Sequence, residues 1–144
     1  MTIWVENVNL DTLNAQCADT AVSHLGIAFT AIGDDWLQAT MPVDRRTKQP
    51  GGILHGGASV LLAETLGSVA SMLCVDRARF ACVGLEINAN HVKAARSGIV
   101  TGTARSLHVG RTTHVWDIRI ENPDQQLVCV SRFTVCVIPL QGQA

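Results

Sequence analysis

The stretch Gln49-Pro50-Gly51-Gly52-Ile53-Leu54-His55-Gly56-Gly57-Ala58-Ser59-Val60-Leu61-Leu62-Ala63-Glu64-Thr65-Leu66-Gly67-Ser68 decides how this chain is read. It opens as a glycine-rich turn and runs into an apolar segment whose alanine and leucine content predicts one long helix over residues 57–75. Between Gln49 and Val75 the only formal charge is Glu64. Such a helix is almost long enough to cross a bilayer. A carboxylate in mid-span is costly, however, and Pro50, Gly51 and Gly52 shorten the helix at its front. A helix buried in a soluble protein, with no membrane partner, is the expectation.

Glu64 sits two turns into that helix, flanked by Leu61, Leu62, Ala63 and Leu66. No lysine or arginine lies within helical reach. An ionised carboxylate in apolar surroundings costs several kcal/mol unless it is paired. Ser68 and Ser71, four and seven residues on, are expected to share its face as a narrow polar stripe. Glu64 is therefore read as a desolvated base or nucleophile, against the plainer alternative of a glutamate facing solvent. His55-Gly56-Gly57 immediately precedes the helix. Glycine lets the backbone approach a ligand, and the first helical N–H groups have no intrahelical acceptor. With the helix dipole, such a terminus can hold a developing oxyanion, although a glycine-rich turn often does no more than start a helix.

Outward from this centre, Asn9 or Asp11 can cap a first helix to about Cys17, and a further helical turn ends at Gly26. Two strands are expected at 27–32 and 36–41, joined through Gly33-Asp34-Asp35, with Leu37, Ala39 and Met41 on one face. Residues 42–52 form a polar loop. Beyond the long helix come four strand-like segments, at 81–92, 99–107, 112–121 and 127–138. In the first, Val83, Leu85, Ile87 and Ala89 alternate with Glu86, Asn88 and Asn90, which predicts one dry and one wet face. The last is apolar at both parities and is placed inside the sheet. Short connections such as Asn122-Pro123-Asp124 make neighbours antiparallel. This order predicts an α+β class, an antiparallel sheet wrapped around one long central helix, in a single domain over 1–144.

The 144 residues leave no room for a cofactor domain, and 47% of them are apolar, enough for a sizeable core. Eleven basic residues against twelve acidic ones leave a net charge of -1, without the basic footprint of a nucleic-acid binder. The N-terminus, Met1-Thr2-Ile3-Trp4-Val5-Glu6, lacks the pattern of a secretory signal. Five cysteines with no CxxC pair read as reduced core thiols of a cytoplasmic protein. Ser59 lacks the following glycine of a nucleophile elbow, histidines and cysteines show no metal-ligand spacing, and the glycine pairs match no phosphate-binding loop.

Taken together, Met41-Pro42-Val43-Asp44-Arg45-Arg46-Thr47-Lys48-Gln49-Pro50, Leu54-His55-Gly56-Gly57-Ala58-Ser59, Ala63-Glu64-Thr65-Leu66-Gly67-Ser68 and Val83-Gly84-Leu85-Glu86-Ile87-Asn88-Ala89-Asn90-His91 resemble the hotdog-fold acyl-CoA thioesterases. The nearest likeness is to the group acting on 1,4-dihydroxy-2-naphthoyl-CoA or on aryl groups misloaded onto enterobactin-type carrier protein, relatives of the Arthrobacter-type 4-hydroxybenzoyl-CoA thioesterase. The likeness runs from about Trp4 to Ile138.

That resemblance implies Glu64 as nucleophile or general base and Gly56 N–H as oxyanion donor. It implies Gln49 and His55 as residues that position substrate, water or the leaving thiol, and Ser68 as a hydroxyl near the acyl group. Gly84, His91-Val92-Lys93-Ala94 and His108-Val109-Gly110-Arg111-Thr112-Thr113 are implied as substrate and CoA contacts, with Lys93 and Arg111 against phosphates. His91 also falls, by parity, on the dry face of its strand. Gly52 departs from the bulky residue expected there. No metal or bound cofactor is implied, since CoA is part of the substrate. The implied partners are an aryl- or other acyl-CoA, an acyl or aryl carrier protein, and further copies of the chain in a homotetramer, a dimer of dimers. A hotdog hydratase or dehydratase, or a non-catalytic acyl-CoA-binding protein, is the alternative.

Overall fold

Two short helices, two strands, one long helix and four strands follow one another in the computed structural model, which describes residues 1–140. They are α1 (Leu10–Gln16), α2 (Ala21–His24), β1 (Ala28–Ile32), β2 (Trp36–Pro42), α3 (Gly56–Leu73), β3 (Phe80–His91), β4 (Ile99–Val109), β5 (Thr113–Glu121) and β6 (Leu127–Pro139). The last four residues of the domain expected over 1–144 lie outside the described residues.

Local chemistry sets several boundaries. Asn9 caps α1, its side chain accepting from Thr12 N–H at 2.9 Å, and Asn14 exchanges two hydrogen bonds with the Phe29 backbone, tying α1 to β1. Thr20 and Ser23 form a reciprocal capping box on α2. The turn before β6 is closed by Asn122 Oδ1, which accepts from Asp124 and Gln126 N–H.

All pairings in the six-stranded sheet, β1-β2-β4-β5-β6-β3, are antiparallel. The expected interior position of β6 is found: it lies between β5 and β3. The inner face carries Leu37, Ala39 and Met41 from β2, Trp116, Ile118 and Ile120 from β5, and Phe133 and Val135 from β6. Against it α3 buries Ala58, Leu62, Ala63, Leu66 and Ala70. Each buried leucine contributes about 1.5–3 kcal/mol. α3 is long and apolar enough to cross a membrane, but its apolar stripe is occupied by this sheet.

Two expectations fail, each for a physical reason. Ser71 does not share the face of Glu64. It is fully buried, and its Oγ accepts from Trp116 Nε1–H at 2.8 Å, anchoring the end of the helix beneath the Trp4–Trp116 stack. The single dry face of β3 is also broken. Val83 and Leu85 are 45% and 64% exposed, while Ile87 and Ala89 pack on the core. The register with β6 shifts between Gly84 and Glu86, so Leu85 is the extra residue of a β-bulge. A bulge reverses parity, and strict alternation in sequence cannot reveal it.

Candidate active site

The N-terminus of α3 is organised by His55. Its Nδ1 accepts from Gly57 N–H at 2.8 Å, and its carbonyl accepts from Ala58 and Ser59 N–H. Gly56 N–H has no acceptor among the described residues and remains the free donor of the first turn. A neutral imidazole that accepts at Nδ1 carries its proton on Nε2, so His55 presents an N–H outward. Gly56 also lies against the His91 ring: a Cβ there would come within 2.8 Å of Nε2.

Two clefts flank this terminus. Gln49, Gly56, Ser59, His91, Lys93 and Ala94 line the first, with Val92. Gln49 is held in its turn by Gly51 N–H, which donates to Oε1, and by the backbone bond from Gly52 N–H to the Gln49 carbonyl. Gly52 adopts φ +80°, a conformation a bulky L-residue enters only with strain, so the departure noted at this position changes the turn as well as the volume. Lys93 is exposed and forms no ion pair among the described residues.

The second cleft, about 540 Å³, holds Glu64 and Ser68 among Val60, Leu61 and Val69 of α3, with Ala21 and Val22 of α2 as its far wall. Glu64 is exposed, which corrects the expectation of a desolvated carboxylate. Its apolar sequence neighbours Leu62, Ala63 and Leu66 turn to the sheet, while Glu64 leaves the flank of the helix toward the edge strand β3. Within the chain it has no hydrogen bond or ion pair among the described residues. Its Oε1 rests over Gly84, where a Cβ would stand 3.2 Å away. Gly84, grouped by resemblance with the CoA contacts, thus sits under the carboxylate.

The hairpin residues His108, Val109, Gly110, Arg111, Thr112 and Thr113 reach neither cleft. They span the end of β4 and the start of β5, whereas His91 of the first cleft pairs through Cys129 with Ile120 near the far end of β5; neither cleft is lined by them. The wall from α2 was missed in the sequence, because four helical residues more than thirty positions before Glu64 carry no local signal of their place. No cysteine lines either cleft, and burial pushes the Cys74 thiol up to about 12 and raises those of Cys17, Cys82 and Cys129. No three histidine, cysteine or carboxylate side chains converge to hold a metal among the described residues.

A free helix-terminal N–H, a histidine cap and a carboxylate two turns along are a combination that can be compared with known proteins. The model of the Thioesterase superfamily matches residues 51–129, from the turn before α3 into β6. The chain belongs to the thioesterase superfamily. This thioesterase is 52% identical to the 1,4-dihydroxy-2-naphthoyl-CoA hydrolase of Escherichia coli over 136 residues, 94% of this chain and 99% of that one. It is 47% identical to the proofreading thioesterase EntH of Cronobacter sakazakii, over 94% of this chain and 98% of that one. The crystal structure of a mutant of thioesterase PA1618 from Pseudomonas aeruginosa superposes with a TM-score of 0.95 at 53% identity, covering 96% of this chain and 100% of that one. The architecture is the hotdog fold expected from the sequence, and the enzyme is a thioester hydrolase.

Proposed function

We propose that this thioesterase hydrolyses acyl-CoA thioesters, aromatic ones in preference, with Glu64 as the reacting carboxylate and Gly56 N–H as the oxyanion donor. The observation that carries the reading is a carboxylate in an apolar cleft, unpaired among the described residues, on a helix whose first turn keeps one free N–H. A thioester carbonyl at that terminus is polarised by Gly56 N–H and the α3 dipole. Within one chain eight residues, about 12 Å of helix, separate Glu64 from Gly56, so the carboxylate that meets this carbonyl is Glu64 of a neighbouring copy, and it follows one of two routes. It attacks the carbonyl carbon and expels the thiolate, leaving an anhydride that water hydrolyses; or it takes a proton from the water that attacks. His55 Nε2–H serves as a hydrogen-bond donor to the departing sulfur. The apolar walls of the Glu64 cleft suit a ring, and Ser68 offers it a hydroxyl. Lys93 supplies a cation for the remote phosphates. The thiol carrier is CoA or a carrier protein bearing the same arm.

The working unit in this proposal is a homotetramer, a dimer of dimers. Its support is the separation of Gly56 from Glu64 along α3, about 12 Å for eight residues, which a second copy bridges.

Glu64→Gln tests the chemistry. It keeps the shape of the side chain and removes its charge and basic oxygen. Measured by free-thiol release, kcat should fall by at least about a hundredfold, the scale of lost general-base catalysis. Binding of a non-hydrolysable CoA analogue and Tm should stay unchanged, since the residue is exposed. A folded variant keeping more than about half of wild-type hydrolysis overturns the assignment. So does a wild-type protein that hydrates enoyl-CoA without releasing thiol.

A further inference from the structure

Glu64 raises a problem of placement. A glutamate on the exposed side of a helix has three side-chain torsions, and a free carboxylate spends little time in any one reactive geometry. No hydrogen bond or ion pair among the described residues holds it. Its carboxylate lies beside the edge strand at Gly84. Its Oε1 lies 3.2 Å from the position a Cβ on Gly84 would occupy.

The surroundings of Gly84 explain why that position is empty of side chain. Its φ is not in the left-handed region, so the backbone conformation does not require glycine. Space does. A Cβ would stand 2.9 Å from Phe133 Cζ and 3.0 Å from Cε2, and Phe133 is 1% exposed. On its other side the same ring abuts Gly67 of α3, where a Cβ would overlap Cδ1. The ring is therefore slotted between a glycine of the helix and a glycine of the strand. This slot brings α3 down onto the sheet one turn after Glu64. The bulge at Leu85 completes the arrangement. Gly84 and His91 have opposite parity, yet both face α3, Gly84 beneath Glu64 and His91 against Gly56. Only an extra residue between them permits this.

We propose that Gly84 is a positioning residue for Glu64: with the Phe133 slot, it forms a notch that sets where the carboxylate rests relative to the carbonyl held at Gly56 of a neighbouring copy. The proposal rests on the reading of Glu64 as the reacting group. It differs from the CoA contact implied by resemblance, which would act on binding.

The test is a series of Gly84→Ala, Gly84→Val, Phe133→Leu and the double variant Gly84→Ala with Phe133→Leu, measured in the full enzyme for kcat, KM and Tm. Displacement of a reacting group by a fraction of an ångström to an ångström should lower kcat by about tenfold for alanine and about a hundredfold for valine, with KM within about threefold. In the double variant, removing the ring edge should return Tm to that of Phe133→Leu alone, while kcat stays low because the new methyl still meets Glu64. Recovery of kcat together with Tm would make Gly84 a packing residue only. A loss confined to KM would make it a substrate contact. Near wild-type kcat in Gly84→Val would remove any role. Each of these overturns the proposal while an inactive Glu64→Gln leaves the reading of Glu64 standing; an active Glu64→Gln would defeat both.

Discussion

His114 is 1% exposed, and its Nδ1 has no hydrogen-bond partner among the described residues. Burial pushes the imidazole below its ordinary value of 6.5, a hydrogen bond to the Gly110 backbone opposes this, and His108 adds to the lowering. A depressed value means that the unfolded chain binds the proton more readily than the folded one. The stability contributed by neutral His114 is therefore present above pH 6.5 and is lost as pH falls through the lower folded value. Thermal melts between about pH 7.5 and pH 5.5 should show Tm falling in the wild type and falling less in His114→Leu, which cannot take up a proton. Equal slopes in the two proteins would refute this. Asp44 acts in a separate window. Its hydrogen bond with Arg46 holds the carboxyl at about 2, so its contribution is lost only below the ordinary 3.8.

At the scale of elements, α2 shows how a four-residue helix acquires a role in specificity. Its capping box and the anchoring of the preceding helix by Asn14 fix it against α3, and Val22 packs on the core while lining the Glu64 cleft. A wall preorganised in this way selects by volume. Val22→Phe should lower kcat/KM for a benzoyl-type CoA thioester by about tenfold and for acetyl-CoA by less than about threefold, the discrimination that a few methylenes provide. Thiol release from the two substrates measures it. Equal losses on both would remove α2 from the acyl pocket.

The whole molecule ends its sheet on β3, twelve residues paired on one side only, to β6. Edge strands of this length are commonly blunted by charge, proline or cover. Here the bulge instead turns Val83 and Leu85 outward, 45% and 64% exposed. A domain of this size gains by burying such surface against another copy. Light scattering of the wild type should give a tetramer, and Val83→Lys with Leu85→Lys should yield smaller species with activity lost in proportion. An active wild-type monomer at working concentration would defeat this expectation and the shared site with it.

Much of this protein is legible locally. The cap at Asn9, the hairpin at Gly33-Asp34-Asp35, the alternation in β2 and β5 and the β6 that is apolar at both parities depend on near neighbours, and the structure has each of them where the residues indicate. The same holds for the glycine-rich start of α3 and for Glu64 as its only charge. What residue order could not supply is which way Glu64 faces, because the helix has apolar residues all around and only the sheet chooses the side to bury. Nor could it supply the bulge, one unpaired residue that exists only relative to β6. It set Ser71 beside Glu64 by helical spacing, and a tryptophan from a distant strand claimed that hydroxyl instead. Local periodicity determined the elements and the chemical types at the site. Long-range packing decided their direction, since the free energy of burial is a property of surfaces that meet only after folding.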